Sequence, residues 1–168
     1  MKTFNSINLK QIFTLTLAII VMFVFDSCKK ASEKTGEKLI ETSIGHGADV
    51  DIDDEKIVIK TDEGTFTSDS TIKNWPKEIP DDVPEFKDGK VVNVSTRIVD
   101  GNKNWTLLFE NVSENALTEY ETKLKKKGFK VSTISMGNTK GHITAEQGDY
   151  VVIVMGGEGM ASLSVGVK

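Results

Sequence analysis

An α+β fold is predicted for this chain on three observations. Residues 90–168 break into short segments in which apolar and polar positions alternate, as they do in half-buried strands. One segment among them, from Ser113 to Lys127, instead carries apolar residues at helical spacing between a capping serine and a glycine. Tight-turn signals such as Asp100-Gly101-Asn102 join neighbouring segments as hairpins. The expected C-terminal unit is an antiparallel sheet of about six strands with one helix, in the order ββαββββ. A small helix-plus-hairpin module is expected ahead of it.

The chain opens with Lys2 and Lys10 around the start of an apolar run of 14 residues, Ile12–Phe25, interrupted only by Thr14 and Thr16. That layout is an export signal. A membrane-spanning helix needs about 20 apolar residues to cross about 30 Å of hydrocarbon, and this run is shorter. An uncleaved N-terminal anchor is the alternative, which charge does not decide, because Lys29, Lys30 and Lys34 balance the lysines before the run. The ending Val24-Phe25-Asp26-Ser27-Cys28 resembles the lipobox of bacterial lipoproteins. It departs from that pattern at Phe25, where leucine is usual, and at Asp26, where a small neutral residue is usual.

This resemblance implies a signal peptide over 1–27, acyl chains on Cys28 and a body held outside the cytoplasm at the bacterial cell envelope. Cys28 is the only cysteine, so its acylation leaves no thiol for a disulfide, a nucleophile or a metal. Each buried methylene contributes about 0.8 kcal/mol, so two or three acyl chains make a durable membrane anchor.

Residues 28–36 are polar and small and read as a lipidated tether. From Glu33 to Ile44 the apolar or small positions Gly36, Leu39, Ile40, Ser43 and Ile44 recur at helical spacing until Gly45 and Gly47. Val50 and Ile52 then alternate with acids before the β-branched run Ile57-Val58-Ile59. This is a hairpin turning near Asp53-Asp54-Glu55, with a short third strand around Thr65–Thr67, which completes a module over 37–67.

Asp49, Asp51 and Asp53 have the spacing of the first three ligands of an EF-hand loop, but Asp54 stands where glycine is required and Lys60 where a bidentate glutamate is required. The aspartates therefore read as the solvated face of a strand, and no metal is expected. Across 49–88 there are 13 acidic residues against 5 lysines, a net charge of −8, whereas 90–168 is net +2. An acidic front half argues against nucleic acid as a partner, since phosphate contacts depend on Lys and Arg.

All three prolines fall in the next segment, 68–89, as Trp75-Pro76, Ile79-Pro80 and Val83-Pro84. Each proline fixes its own φ and pushes the residue before it to extended geometry, so the segment is a stiff, non-helical linker. Its apolar side chains Trp75, Ile79, Val83 and Phe86 are expected to lie along the following domain. The spacing is Pro-x-x-x-Pro, which differs from the Pro-x-x-Pro of polyproline recognition. This strap, followed by Gly89-Lys90-Val91 and a strand, resembles that of a group of uncharacterised bacterial lipoproteins with a C-terminal α+β domain. The resemblance implies no activity and transfers no functional residue.

Within the domain 90–168, Val91–Val99 and Trp105–Phe109 are the first two strands, with Trp105, Leu107 and Phe109 on one face. The helix has Ser113 as N-cap, Ala116, Leu117, Tyr120 and Leu124 as its buried stripe, Lys125–Lys127 in its last turn and Gly128 beyond. Phe129 is expected to fold back onto it. Strands follow over Lys130–Ser135, His142–Glu146, Tyr150–Met155 and Met160–Val167, separated by turns near Gly137-Asn138, at Gln147-Gly148-Asp149 and at Gly156–Gly159.

No catalytic constellation is present in the sequence. Ser162-Leu163-Ser164-Val165-Gly166 lacks the first glycine of a nucleophile elbow and lies in a strand. Gly156-Gly157-Glu158-Gly159 opens no helix, and His46 and His142 stand alone. The chain is expected to be no enzyme and to need no cofactor. A cell-envelope binding or interaction module is the favoured expectation, with an envelope protein or polymer as partner and Trp75, Phe86 and Trp105 as the candidate binding surface. An inhibitor of an envelope enzyme, presenting its hairpin loops, is the alternative, and a hydrolase is the least favoured.

Overall fold

A computed structural model of the protein describes residues 35–40, 42, 48–135 and 141–167. The export signal, Cys28, most of the tether, His46 and the turn near Gly137-Asn138 lie outside the described residues. Residues 35–40 are helical (α1). The strands are β1 (Asp49–Asp53), β2 (Lys56–Thr61), β3 (Gly64–Asp69), β4 (Lys90–Val99), β5 (Asn102–Glu110), β6 (Lys130–Ser135), β7 (Gly141–Gln147), β8 (Tyr150–Gly157) and β9 (Met160–Val167). The helix α2 (Ala116–Lys126) joins β5 to β6.

The order ββαββββ from residue 90 onward is the one expected, but the sheet is larger. Among the described residues its nine strands run β1-β2-β3-β4-β5-β9-β8-β7-β6, every neighbouring pair antiparallel. The front hairpin therefore does not stand apart, because β3 pairs with β4 from Thr65↔Ile98 to Asp69↔Val94. Sequence alternation identifies each strand but carries no information on which edge accepts a neighbour from across a proline-rich segment. Here the edge of β4 accepts β3.

Register determines which side chains share a face. Leu107, Leu163, Val154 and Ile143 are cross-strand neighbours and all are buried. Helix α2 lies on that side, contributing Ala116, Tyr120 and Leu124. It comes close because β8 carries glycine beneath it: a Cβ at Gly156 would sit 2.6 Å from Leu117 Cδ1.

The end of α2 follows the expectation in detail. Gly128 takes φ 92°, its N–H donates to Lys125 O and the Phe129 N–H donates to Leu124 O, a Schellman closure that buries Phe129. Its start does not. Asn115 is the N-cap and makes no side-chain capping bond. Ser113 instead donates its N–H and Oγ–H to the two carboxylate oxygens of Asp88, at 2.6 and 2.8 Å. The acid at the end of the proline segment outcompetes the helix for that serine.

An 11-residue helix is about 16 Å long, whereas nine strands span about 38 Å, so α2 covers only part of the sheet. The proline segment covers the next part. Ile79 N–H donates to Pro76 O and Val83 N–H to Pro80 O, so the four-residue repeat is a pair of successive β-turns. Each turn starts at a proline and ends on an apolar residue, which places Ile79 and Val83 side by side in the core. Phe86 completes the series: its ring centroid lies 4.8 Å from that of Phe109 and 5.1 Å from that of Tyr120. The Tyr120 hydroxyl donates to Pro84 O at 2.8 Å, which joins helix and strap directly. Burial pushes this phenol upward, so it remains a donor throughout the physiological range.

The strap is thus part of the interior, and its anchors are measurable. Phe86→Ala is expected to destabilise the fold by about 3–5 kcal/mol in urea unfolding, through lost burial and a residual cavity. Tyr120→Phe, which leaves Pro84 O without its donor, should cost about 1 kcal/mol.

Candidate functional site

The three side chains expected to form a binding surface occupy different positions. Phe86 and Trp105 are only 4% and 6% exposed, so their rings serve the core. Trp75 is partly buried and packs against the same cluster. Residue type drew attention to these aromatics, but a strap that sinks into the sheet turns them inward.

Lys103 on β5 closes the strap over Trp105. Its Nζ bonds Glu78 Oε2 at 2.7 Å and lies 5.7 Å from the centre of the Trp105 ring. The Glu78 carboxyl is held below its ordinary value of 4.5, first by this hydrogen bond and then by the lysine charge, with a smaller pull from the Trp105 indole. That indole Nε1 is buried and has no partner in full hydrogen-bond geometry among the described residues, so its effect on Glu78 is one of nearby polarity.

A groove of about 1250 Å³ runs along the strap, with Lys73, Lys77, Lys87, Lys90, Lys123 and Lys127 on its walls. Acids offset much of that charge: Glu85 and Asp81 also line it, Lys87 lies 3.7 Å from Glu85, and Lys90 stands opposite Glu110 across the β4–β5 pair. This is a mixed-charge solvated surface.

The other face of the sheet is more informative. Its middle row is mostly polar, with Ser68, Ser95, Thr106, Ser164 and Thr144 aligned across strands and interrupted by Ile153. Asn93 bridges Ser68 and Ser95 at 3.0 Å each, and Thr106 Oγ1 lies 3.0 Å from Ser164 Oγ. The adjoining row runs Ile134, His142, Met155, Ser162 and Leu108. Here Leu108, Met155 and Ile134 are 40%, 57% and 60% exposed, and Met160 beside them is 57% exposed. A shallow depression of about 520 Å³ between Leu108, His142, Met155, Met160 and Ser162 marks the middle of this patch.

None of these residues belongs to the surface expected from Trp75, Phe86 and Trp105. A signal was available in the apolar pair Leu107-Leu108: in a strand, adjacent residues point to opposite faces, so if Leu107 is core then Leu108 is outside. Val154-Met155 has the same form.

His142 Nε2 lies 3.4 Å from Thr144 Oγ1, too long for an activated nucleophile, and no acid bonds the ring among the described residues. Asp49, Asp51 and Asp53 alternate along β1 as a strand face, and Lys60 lies 3.4 Å from Asp49. No group of three potential metal ligands occurs among the described residues, and no described helix is long and apolar enough to cross a membrane. Neither a protein-family model, nor a curated protein, nor a solved structure matches this chain.

The strap clamp has a definite pH signature. Because the Glu78 value is depressed in the folded state, its stabilisation is present above the unfolded carboxyl value and is lost as pH falls through the folded one. Glu78→Gln should therefore lower stability at neutral pH by less than about 1 kcal/mol, given the exposure of the pair, and match wild type in strong acid. Urea unfolding of both proteins across that range provides the check.

Proposed function

We propose that this protein is a lipid-anchored bacterial cell-envelope protein that works by binding, with the open face of its sheet as the contact surface. The anchoring part rests on Ile12–Phe25 followed by Cys28 in a lipobox-like setting. The binding part rests on one observation: the exposed Leu108, Met155 and Met160 lie on neighbouring strands of the open face beside a middle row that is mostly polar, with Ile134 at the edge of the sheet beyond His142. Scattered apolar residues are ordinary on a surface, but a contiguous group beside a polar stripe is the arrangement of a contact site, with an apolar centre and a polar rim. The two methionines suit a surface that adapts its shape, because their side chains are unbranched and polarisable. A partner in the envelope, protein or polymer, fits this surface through apolar contact and hydroxyl hydrogen bonding.

Two measurements test the halves of this reading separately. Metabolic labelling with a palmitate analogue is expected to mark wild type and not Cys28→Ala; an unlabelled wild type removes the anchor. A photo-crosslinking residue placed at Met155 in the anchored protein is expected to give a discrete adduct in intact cells, while the same residue at Asp51 gives none. Equal yields at the two sites would remove the contact surface.

A further inference from the structure

The two edges of the sheet are built differently. β1, at one edge, reads Asp-Val-Asp-Ile-Asp, and three like charges along a strand repel a second strand of the same kind. β6, at the other edge, is uncharged from Val131 to Ser135, contains no proline, and is half β-branched. All of its residues except Val131 are exposed. Among the described residues β7 is its one neighbour, so a full row of backbone donors and acceptors faces outward. An edge without charge, proline or bulge is a template for another strand.

We propose that β6 pairs with β6 of a second copy of this chain, antiparallel and centred on Thr133, extending the sheet across a two-fold axis. The sequence is self-complementary in that register. Thr133 meets its own counterpart, Ser132 meets Ile134 of the other copy, and no charged residue from 131 to 135 opposes another. Because the sum of paired positions is even, residues 132 and 134 of both copies lie on the same face, which is the open one. The two Ile134 side chains become diagonal neighbours, about 7–8 Å apart and within van der Waals reach of each other along their length. Each is 60% exposed in the single chain and stands at the edge of the row that continues through His142 to Met155. Pairing thus covers Ile134 and continues the open face of one copy into that of the other across the axis. The contact is isologous, so it closes at two copies and does not propagate, the far edge being guarded by β1. A five-residue ladder, 131–135, buries less than the roughly 1,200 Å² of a standard interface, so the contact belongs to the reversible class and calls for a trapping experiment.

Directly opposed residues place their Cβ atoms about 4.5–5.5 Å apart, close enough for a disulfide after slight adjustment. Thr133→Cys is therefore introduced into the full chain, membranes are oxidised, and non-reducing gels are compared with the parent protein and with Asp51→Cys. The expected result is a band at twice the monomer mass for Thr133→Cys alone, lost when Ile134→Lys is added. Absence of that band, equal dimer from Asp51→Cys or from the parent through Cys28, or an adduct of Thr133→Cys at another mass would each overturn pairing with a second copy.

Discussion

The width of the sheet is the constraint on which the rest of the structure depends. Nine strands present more apolar area on one face than an 11-residue helix can cover, and uncovered Leu, Ile and Phe side chains would each forgo about 1.5–3 kcal/mol of burial. The chain meets this with the segment Trp75–Phe86. Its prolines keep it from becoming a further helix, and its four-residue repeat delivers Ile79 and Val83 to the same side at each turn. Phe86 then enters between Phe109 and Tyr120, so strand, strap and helix meet at one cluster of rings. Asp88, just beyond, holds Ser113 and so positions the approach to α2.

Helix α2 and the strap lie on one face, and from β4 to β9 the other face is open. From β4 onward the core takes its hydrophobic residues from one parity of each strand, and the opposite parity carries serine, threonine and asparagine across the middle of the sheet. Against that background Leu108, Met155, Met160 and Ile134 stand out because nothing in the fold requires them to be apolar. The proposed role follows from this contrast: a rigid, strap-braced sheet that presents one adaptable patch, delivered to the envelope by the residues around Cys28. The unguarded edge at β6 lies next to that patch, so contact with a partner and pairing of two copies would share one corner of the molecule.

Much of the fold was legible because it is written locally. The Asp100-Gly101 turn, with φ of 51° and 80°, is the hairpin its sequence announces, and β9 covers Met160–Val167 as alternation indicated. Gly128 and Phe129 end the helix as their types dictate. What could not be read is non-local. Whether β3 pairs with β4, whether Ser113 caps the helix or binds Asp88, and whether Trp75, Phe86 and Trp105 face water or core all depend on where the strap docks. The apolar residues of the proline repeat indicated that the segment lies along the following domain, but not that Ile79, Val83 and Phe86 enter its core. The exposed patch is non-local for a related reason: Leu107-Leu108 and Val154-Met155 each put one residue outside, but only the register brings Leu108 and Met155 to the same row.

Strap and sheet, joined through the Phe86 cluster, should unfold as one cooperative body. Trp105→Phe leaves Trp75 as the only indole, so its fluorescence reports the strap while far-ultraviolet circular dichroism reports the strands. Urea unfolding of this variant followed by both signals should give a single coincident transition. Loss of the Trp75 signal at clearly lower urea than the sheet would contradict this, and would make the strap a linker lying on a domain already complete without it.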